Sequence, residues 1–186
     1  MQFPPLFEKI LERYYMDGPL KESLLRHSVQ VWGKAEEIRK RCTLSLTEEE
    51  VALGALLHDI AICKCHAPDI YCCGEEHYLR HGLLGGELLR AYGRENGLDL
   101  EKYARVCEHH TGSGLTREDI LAQSLPLPPE DLLPGSLLEE LICYADKFFS
   151  KSGDGEEKSL EKVRKSLARH GEKSLERFER LHQKFQ

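Results

Sequence analysis

No run of eighteen consecutive apolar residues occurs in this chain, and its first residues (MQFPPLFEKI) lack a basic stretch followed by an apolar one. Neither a membrane span nor a secretory signal is therefore expected, and the expected location is the cytoplasm. Positive charge is not in excess either: 26 Lys and Arg stand against 32 Asp and Glu, a formal net charge of −6. That balance argues against broad, sequence-blind binding to nucleic acid or anionic lipid, while leaving room for a local phosphate site. The seven cysteines are an odd set, and four of them (Cys63, Cys65, Cys72, Cys73) crowd one stretch. In a reducing compartment such a set is more often free thiols or metal ligands than a disulfide framework. Internal repeats and low-complexity segments are missing, and 186 residues suffice for one compact domain with a helical appendage.

What is present is helical period. Leu6, Phe7, Ile10, Leu11 and Tyr14 repeat on one face until Gly18-Pro19 ends the pattern. Leu24, Val31, Trp32, Ala35 and Ile38 make a second stripe, with His27 beside it. Thr47 and Glu50 form a capping box that opens a third helix, which runs through Ala52 to Leu57 into His58-Asp59. From Ala61 to His77 the period is lost, which predicts a long loop. His81 opens the next helix, where Gly85-Gly86 allow a close neighbour. Asp99 is a candidate N-cap for a helix carrying Tyr103, Cys107 and His110 on one stripe, stopped by Thr111-Gly112. Thr116 with Asp119 starts a short helix, and Ser136 with Glu139 caps a buried one that ends at Asp146. A linker over 150–155 then leads to a charged, mildly basic helix over 156–183, in which Gly171 could mark a break.

Neutral imidazoles and carboxylates are natural ligands for divalent ions of the iron, manganese and zinc group. His58-Asp59 places both types at a helix end behind an apolar run. Asp146 interrupts an apolar face, where an unpartnered carboxylate is costly and a cation would remove the cost. The segments Leu56-Leu57-His58-Asp59-Ile60, Arg80-His81-Gly82, Glu108-His109-His110-Thr111-Gly112 and Tyr144-Ala145-Asp146-Lys147, with His27 ahead of them, resemble the HD superfamily of metal-dependent phosphohydrolases, in the branch with two further histidines.

The resemblance, which covers roughly residues 20–150, implies an all-α helical bundle for residues 1–155, with an additional amphipathic helix over 156–186 docked on it. It implies two divalent ions (Fe, Mn, Zn, Co or Ni). His27, His58, Asp59 and Asp146 would hold one, and Asp59, His81 and His110 the other. It further implies hydrolysis of a phosphoester or phosphoanhydride bond, in a nucleotide or other small phosphorylated metabolite, by a metal-bound hydroxide. Asp59 is then catalytic as well as a ligand, and Lys147 and Lys64 are candidates to pair with phosphate oxygens. Adjacent helical residues point about 100° apart, so His109 and His110 are not expected to ligate equally; the Tyr103–Cys107 stripe and the resemblance both select His110, with His109 and Thr111 expected beside the site. Some small stand-alone members are similar to dinucleoside tetraphosphate hydrolases. The absence of Gly-Tyr-Pro after His110 argues against a cyclic-dinucleotide phosphodiesterase.

Two rival readings stay open: a di-iron oxygenase of related fold, because the ligand types suit both chemistries, and a nucleotide-binding regulatory module without turnover. The cysteine-rich loop, with His66 and His77, lacks a standard zinc-knuckle spacing, so free thiols are expected ahead of structural zinc. His170 and His182, in the tail, are expected to be bystanders.

Overall fold

The structure, a computed structural model, describes residues 2–152 and 155–186. Residues 153 and 154, within the expected linker, lie outside the described residues. Among the described residues nine α-helices follow in order: α1 Pro5–Tyr14, α2 Pro19–Arg41, α3 Glu48–Leu57, α4 His81–Asn96, α5 Glu101–His109, α6 Arg117–Ala122, α7 Leu137–Asp146, α8 Leu160–Ala168 and α9 Glu172–Phe185.

At the centre lies α3, whose residues Val51 to Leu57 are all buried. Its apolar composition leaves no solvent face, so it is enclosed by α1, α2, α5 and α7. The Thr47–Glu50 capping box forms in both directions, with Thr47 Oγ1 accepting from the Glu50 amide and Glu50 accepting from the Thr47 amide. Because α3 is fixed by burial on every side, His58 and Asp59 at its C-terminal end are fully buried and held in place.

Helices α4 and α5 approach closely because the α4 glycines face α5. A Cβ on Gly82 would stand 2.4 Å from the Cys107 carbonyl oxygen, so only glycine fits there. Gly86 likewise admits Glu108, which Arg90 binds together with Glu101.

The stretch expected to be an irregular loop holds two 3₁₀ turns, Ile62–Lys64 and Pro68–Ile70, and a small sheet of β1 (Cys65–Ala67), β2 (Cys72–Cys73) and β3 (Glu76–His77), in the order β2-β1-β3. β1 pairs antiparallel with β2 and parallel with β3. Cys65 and Cys72 are buried within it, and all seven cysteines are free thiols. Tyr15 ties this segment to α1, donating its hydroxyl to the Ile60 carbonyl at 2.9 Å and accepting from the Cys63 amide at 3.3 Å.

The tail corrects the expectation of a single helix. Gly171, at φ +109°, separates α8 from α9, a conformation that L side chains rarely adopt. Both helices bury an apolar face, through Val163 and Leu167 on α8 and Phe178, Leu181 and Phe185 on α9. Phe178 and Phe185 gather around Tyr144 of α7, with ring centroids 5.4 and 5.6 Å away.

Candidate metal centre

Six side chains from five places in the chain converge at the inner ends of these helices. His27 comes from the buried face of α2, His58 and Asp59 follow α3, His81 opens α4, His110 follows α5 and Asp146 ends α7; all six are buried. His27 Nε2 lies 2.9 Å from Asp146 Oδ1, 3.2 Å from His58 Nε2 and 3.3 Å from Asp59 Oδ2. His58 Nε2 lies 2.9 Å from Asp59 Oδ2 and 3.6 Å from Asp146 Oδ1. On the other side, Asp59 Oδ1 lies 3.3 Å from His81 Nε2 and 3.5 Å from His110 Nε2, and those two nitrogens are 3.0 Å apart. Asp59 thus turns one oxygen to each half of the cluster.

The protons of this cluster are constrained by its backbone contacts. His58, His81 and His110 place Nδ1 at 2.6, 2.6 and 2.7 Å from the carbonyl oxygens of Ala55, Tyr78 and Cys107. A carbonyl only accepts, so each Nδ1 carries hydrogen, and a neutral ring then has a bare lone pair at Nε2. Burial holds His81 down to about 3 against the pull of Asp59, and burial lowers His110 as well. Both rings are neutral, and their lone pairs face each other at 3.0 Å. Burial works against charge on His58 too, but Asp59 and Asp146 raise it to about 9.

The two carboxylates are crowded by nitrogens and each has one lysine beside it. Both oxygens of Asp59 are buried without a well-aligned hydrogen bond, and Lys151 is ion-paired to Oδ2. Burial opposes its ionisation, yet His58 and Lys151 hold it well below the usual carboxylate range. Asp146 is held low against burial by Lys147 and His27. Donor atoms sharing one ion at metal–ligand bonds of about 2.1 Å stand about 3.0 Å apart at right angles and about 3.4 Å apart tetrahedrally. The separations here run from 2.9 to 3.6 Å. The sets His27, His58, Asp146 and His58, Asp59, His110 each gather their donor atoms within 4.8 Å. The buried cluster suits divalent metal, which would relieve the facing lone pairs and add to the charge that Lys151 sets against the buried carboxylate.

The two adjacent histidines separate as their helical angle requires. His110 Nε2 joins the cluster, whereas His109 Nδ1 lies 2.7 Å from Glu139 Oε2, away from it. Glu139, only 2 % exposed, also accepts from the Gly135 amide at 3.0 Å and from Arg105 Nε at 3.1 Å. Burial opposes its charge, but these donors bring its carboxyl down to about 2. Ser136 Oγ caps α7 at the Glu139 amide as expected, while the Glu139 carboxylate serves the His109 end of α5. Thr111 sits just past the cluster, its carbonyl accepting from the Gly114 amide.

Of the two lysines expected near phosphate, Lys147 is in place: its Nζ donates to the His110 carbonyl at 3.0 Å and lies 2.8 Å from Asp146 Oδ2. Lys64 is exposed and, among the described residues, joins no carboxylate. The position next to the cluster belongs instead to Lys151, in the stretch expected to be a linker. Its Nζ lies 2.5 Å from Asp59 Oδ2 and 5.8 Å from the Tyr78 ring centre. Burial disfavours its charge, yet Asp59 raises its pKa. Arg26 of α2 donates to the Lys151 carbonyl at 2.8 Å and so straps this segment over the site. A cavity of about 350 Å³ opens here, bounded by His27, Asp146, Tyr78 and Lys151. Neither His170 nor His182 joins the cluster; His182 Nδ1 pairs with the Tyr144 hydroxyl at 2.8 Å.

Comparison with known proteins agrees with this arrangement. The sequence profile of the HD domain matches residues 24–151. An uncharacterized protein of Methanocaldococcus jannaschii is 34% identical over 143 residues, covering 75% of this chain and 73% of that protein. A tRNA (cytidine(56)-2'-O)-methyltransferase of Picrophilus torridus is 32% identical over 127 residues, 68% of this chain. The protein of the same name from Thermoplasma volcanium is 29% identical over 160 residues, 86% of this chain. The chain spans only 31% and 40% of the length of those two methyltransferases. No solved structure matches.

Proposed function

We propose that this chain, which belongs to the HD domain family, is a metal-dependent phosphohydrolase cleaving a phosphoester or phosphoanhydride bond of a small phosphorylated substrate. One observation carries the reading: both oxygens of Asp59 are buried, and each faces its own pair of histidine nitrogens, with Lys151 the one cation on Oδ2 from outside the histidine set among the described residues. Asp59 would lie between two ions, with His27, His58 and Asp146 on one side and His81 and His110 on the other. Divalent ions held there supply an acidified water and positive charge beside the transferring phosphoryl group.

The chain's own residues do the remaining work. The carbonyls of Ala55, Tyr78 and Cys107 fix three imidazoles with Nε2 inward. Lys147 and Lys151, ion-paired to Asp146 and Asp59, turn to phosphate oxygens when substrate fills the adjoining cavity. These two lysines favour phosphate chemistry over oxidation of an uncharged substrate. Nucleotides come first in the test panel because two relatives are named as tRNA methyltransferases. The methyl transfer in that name belongs to longer proteins. The test is phosphate release from a panel of phosphate esters and anhydrides with manganese, iron, cobalt or zinc, alongside Asp59→Asn and Asp146→Asn. Wild type should release phosphate and both variants should not; variants with undiminished turnover would overturn the reading.

A further inference from the structure

Three cavities adjoin one another in series, the first two meeting at Asp146 and Phe149 and the last two at Gly112 and His170. The first, about 350 Å³, opens on His27, Asp146 and Lys151. The second, about 180 Å³, shares Asp146 and Phe149 with the first and is lined by Lys147 and Lys158. The third, about 460 Å³, shares Gly112 and His170 with the second and is walled by Leu79, Leu115, Leu125 and Arg177. Shared walls therefore lead from the cluster, past two lysines, to an apolar chamber beginning at Thr111 and Gly112, directly after His110.

We propose that this third cavity receives the organic part of the phosphorylated substrate, a planar ring with a hydrogen-bond acceptor on its edge, and that Arg177 helps set the preference for it. The proposal rests on the phosphohydrolase reading and adds to it the class of group carried by the phosphate. The volume lies within the range of small-molecule sites, roughly 300–1,000 Å³. Three leucines make a wall that a sugar would meet with hydroxyls, at a desolvation cost. Arg177 is nine-tenths buried; its Nη2 lies 2.6 Å from Asp119 Oδ2, while its Nε is buried with no partner. An arginine Nε can only donate, so an alkyl chain would leave it unsatisfied. A flat ring with apolar faces and an acceptor edge satisfies both the leucines and the guanidinium. His170, Ser174 and Arg177 belong to the α8–α9 tail, beyond residue 151 where the family match ends. The tail histidine expected to be a bystander thus borders the path to this chamber.

The test uses the manganese-loaded full chain and two readouts. Calorimetry compares adenosine, guanosine, cytidine and uridine with ribose, none of which carries a phosphate to lose. Initial rates compare the four nucleoside 5'-monophosphates with ribose 5-phosphate. At least one nucleoside should bind tenfold or more tightly than ribose, and its monophosphate should show at least a tenfold higher kcat/KM than ribose 5-phosphate. Both preferences should fall below threefold in Leu125→Trp, which fills the chamber from a half-buried position. His170→Trp, at an exposed rim residue, provides the same comparison should Leu125→Trp not fold. Equal binding of nucleosides and ribose, or a preference that survives a filled chamber, would overturn the proposal. Ribose 5-phosphate hydrolysis without a ring preference sinks the chamber and leaves the hydrolase reading standing. Ring binding with no phosphate release does the reverse.

Discussion

Replacing Glu139 with Gln keeps the side chain's shape and removes its charge, and the structure gives the cost. Its carboxyl drops from 4.5 to about 2, the His109, Gly135, Ser136 and Arg105 donors outweighing burial. At 1.36 kcal/mol for each tenfold change in proton affinity, that drop corresponds to roughly 3 kcal/mol. Arg105 is about half exposed, so solvent screening trims its share and about 2–3 kcal/mol is expected at pH 7. The folded value is depressed, so the contribution is complete above the ordinary value of 4.5 and is lost as pH falls toward about 2. Urea unfolding of wild type and Glu139→Gln should therefore differ by a constant amount from pH 8 to pH 5, and by less at pH 4 and below. In a chain of 186 residues the expected loss of melting temperature at pH 7 is roughly 5–10 °C. A difference under about 1 kcal/mol at pH 7, or one that widens on acidification, would refute the assignment of Glu139 as the buried anion that anchors His109.

Three further outcomes follow from named contacts. Gly82→Ala would push a methyl group against the Cys107 carbonyl that orients His110; calorimetry should show a loss of about 1–3 kcal/mol, and metal titration a weaker affinity. Lys151→Met removes the cation 2.5 Å from Asp59; metal should bind more tightly, while KM for the best phosphate substrate should rise by roughly tenfold or more, the worth of a charged hydrogen bond. An unchanged KM would remove Lys151 from substrate binding. Tyr15→Phe strips the hydroxyl that joins Ile60 and Cys63 and should lower stability by about 1–2 kcal/mol in urea.

Where local chemistry determines structure, the sequence was readable. The Thr47–Glu50 box and the apolar run after it locate α3, and with it His58 and Asp59. The spacing of Tyr103, Cys107 and His110 turns His110 inward and leaves His109 to Glu139. Features created by long-range folding were not readable. Lys64 stands near His58 in sequence, yet it is exposed, while Lys151 reaches Asp59 across 92 positions and Arg26 straps its segment down. The role of Glu139 was hidden for a similar reason: its capping position is local, but its partners His109 and Arg105 lie 30 and 34 residues away. In the tail the apolar periodicity carries through Gly171, so the glycine could only suggest a break, and the positive φ there makes two helices.

The central claim is that Asp59 lies between divalent ions in a buried histidine–aspartate cluster. Metal analysis of wild type and Asp59→Asn, both purified without chelator and shown to be folded, tests it most directly. Wild type should retain up to about two divalent ions per chain and the variant close to none. Equal metal content in the two proteins would contradict the account.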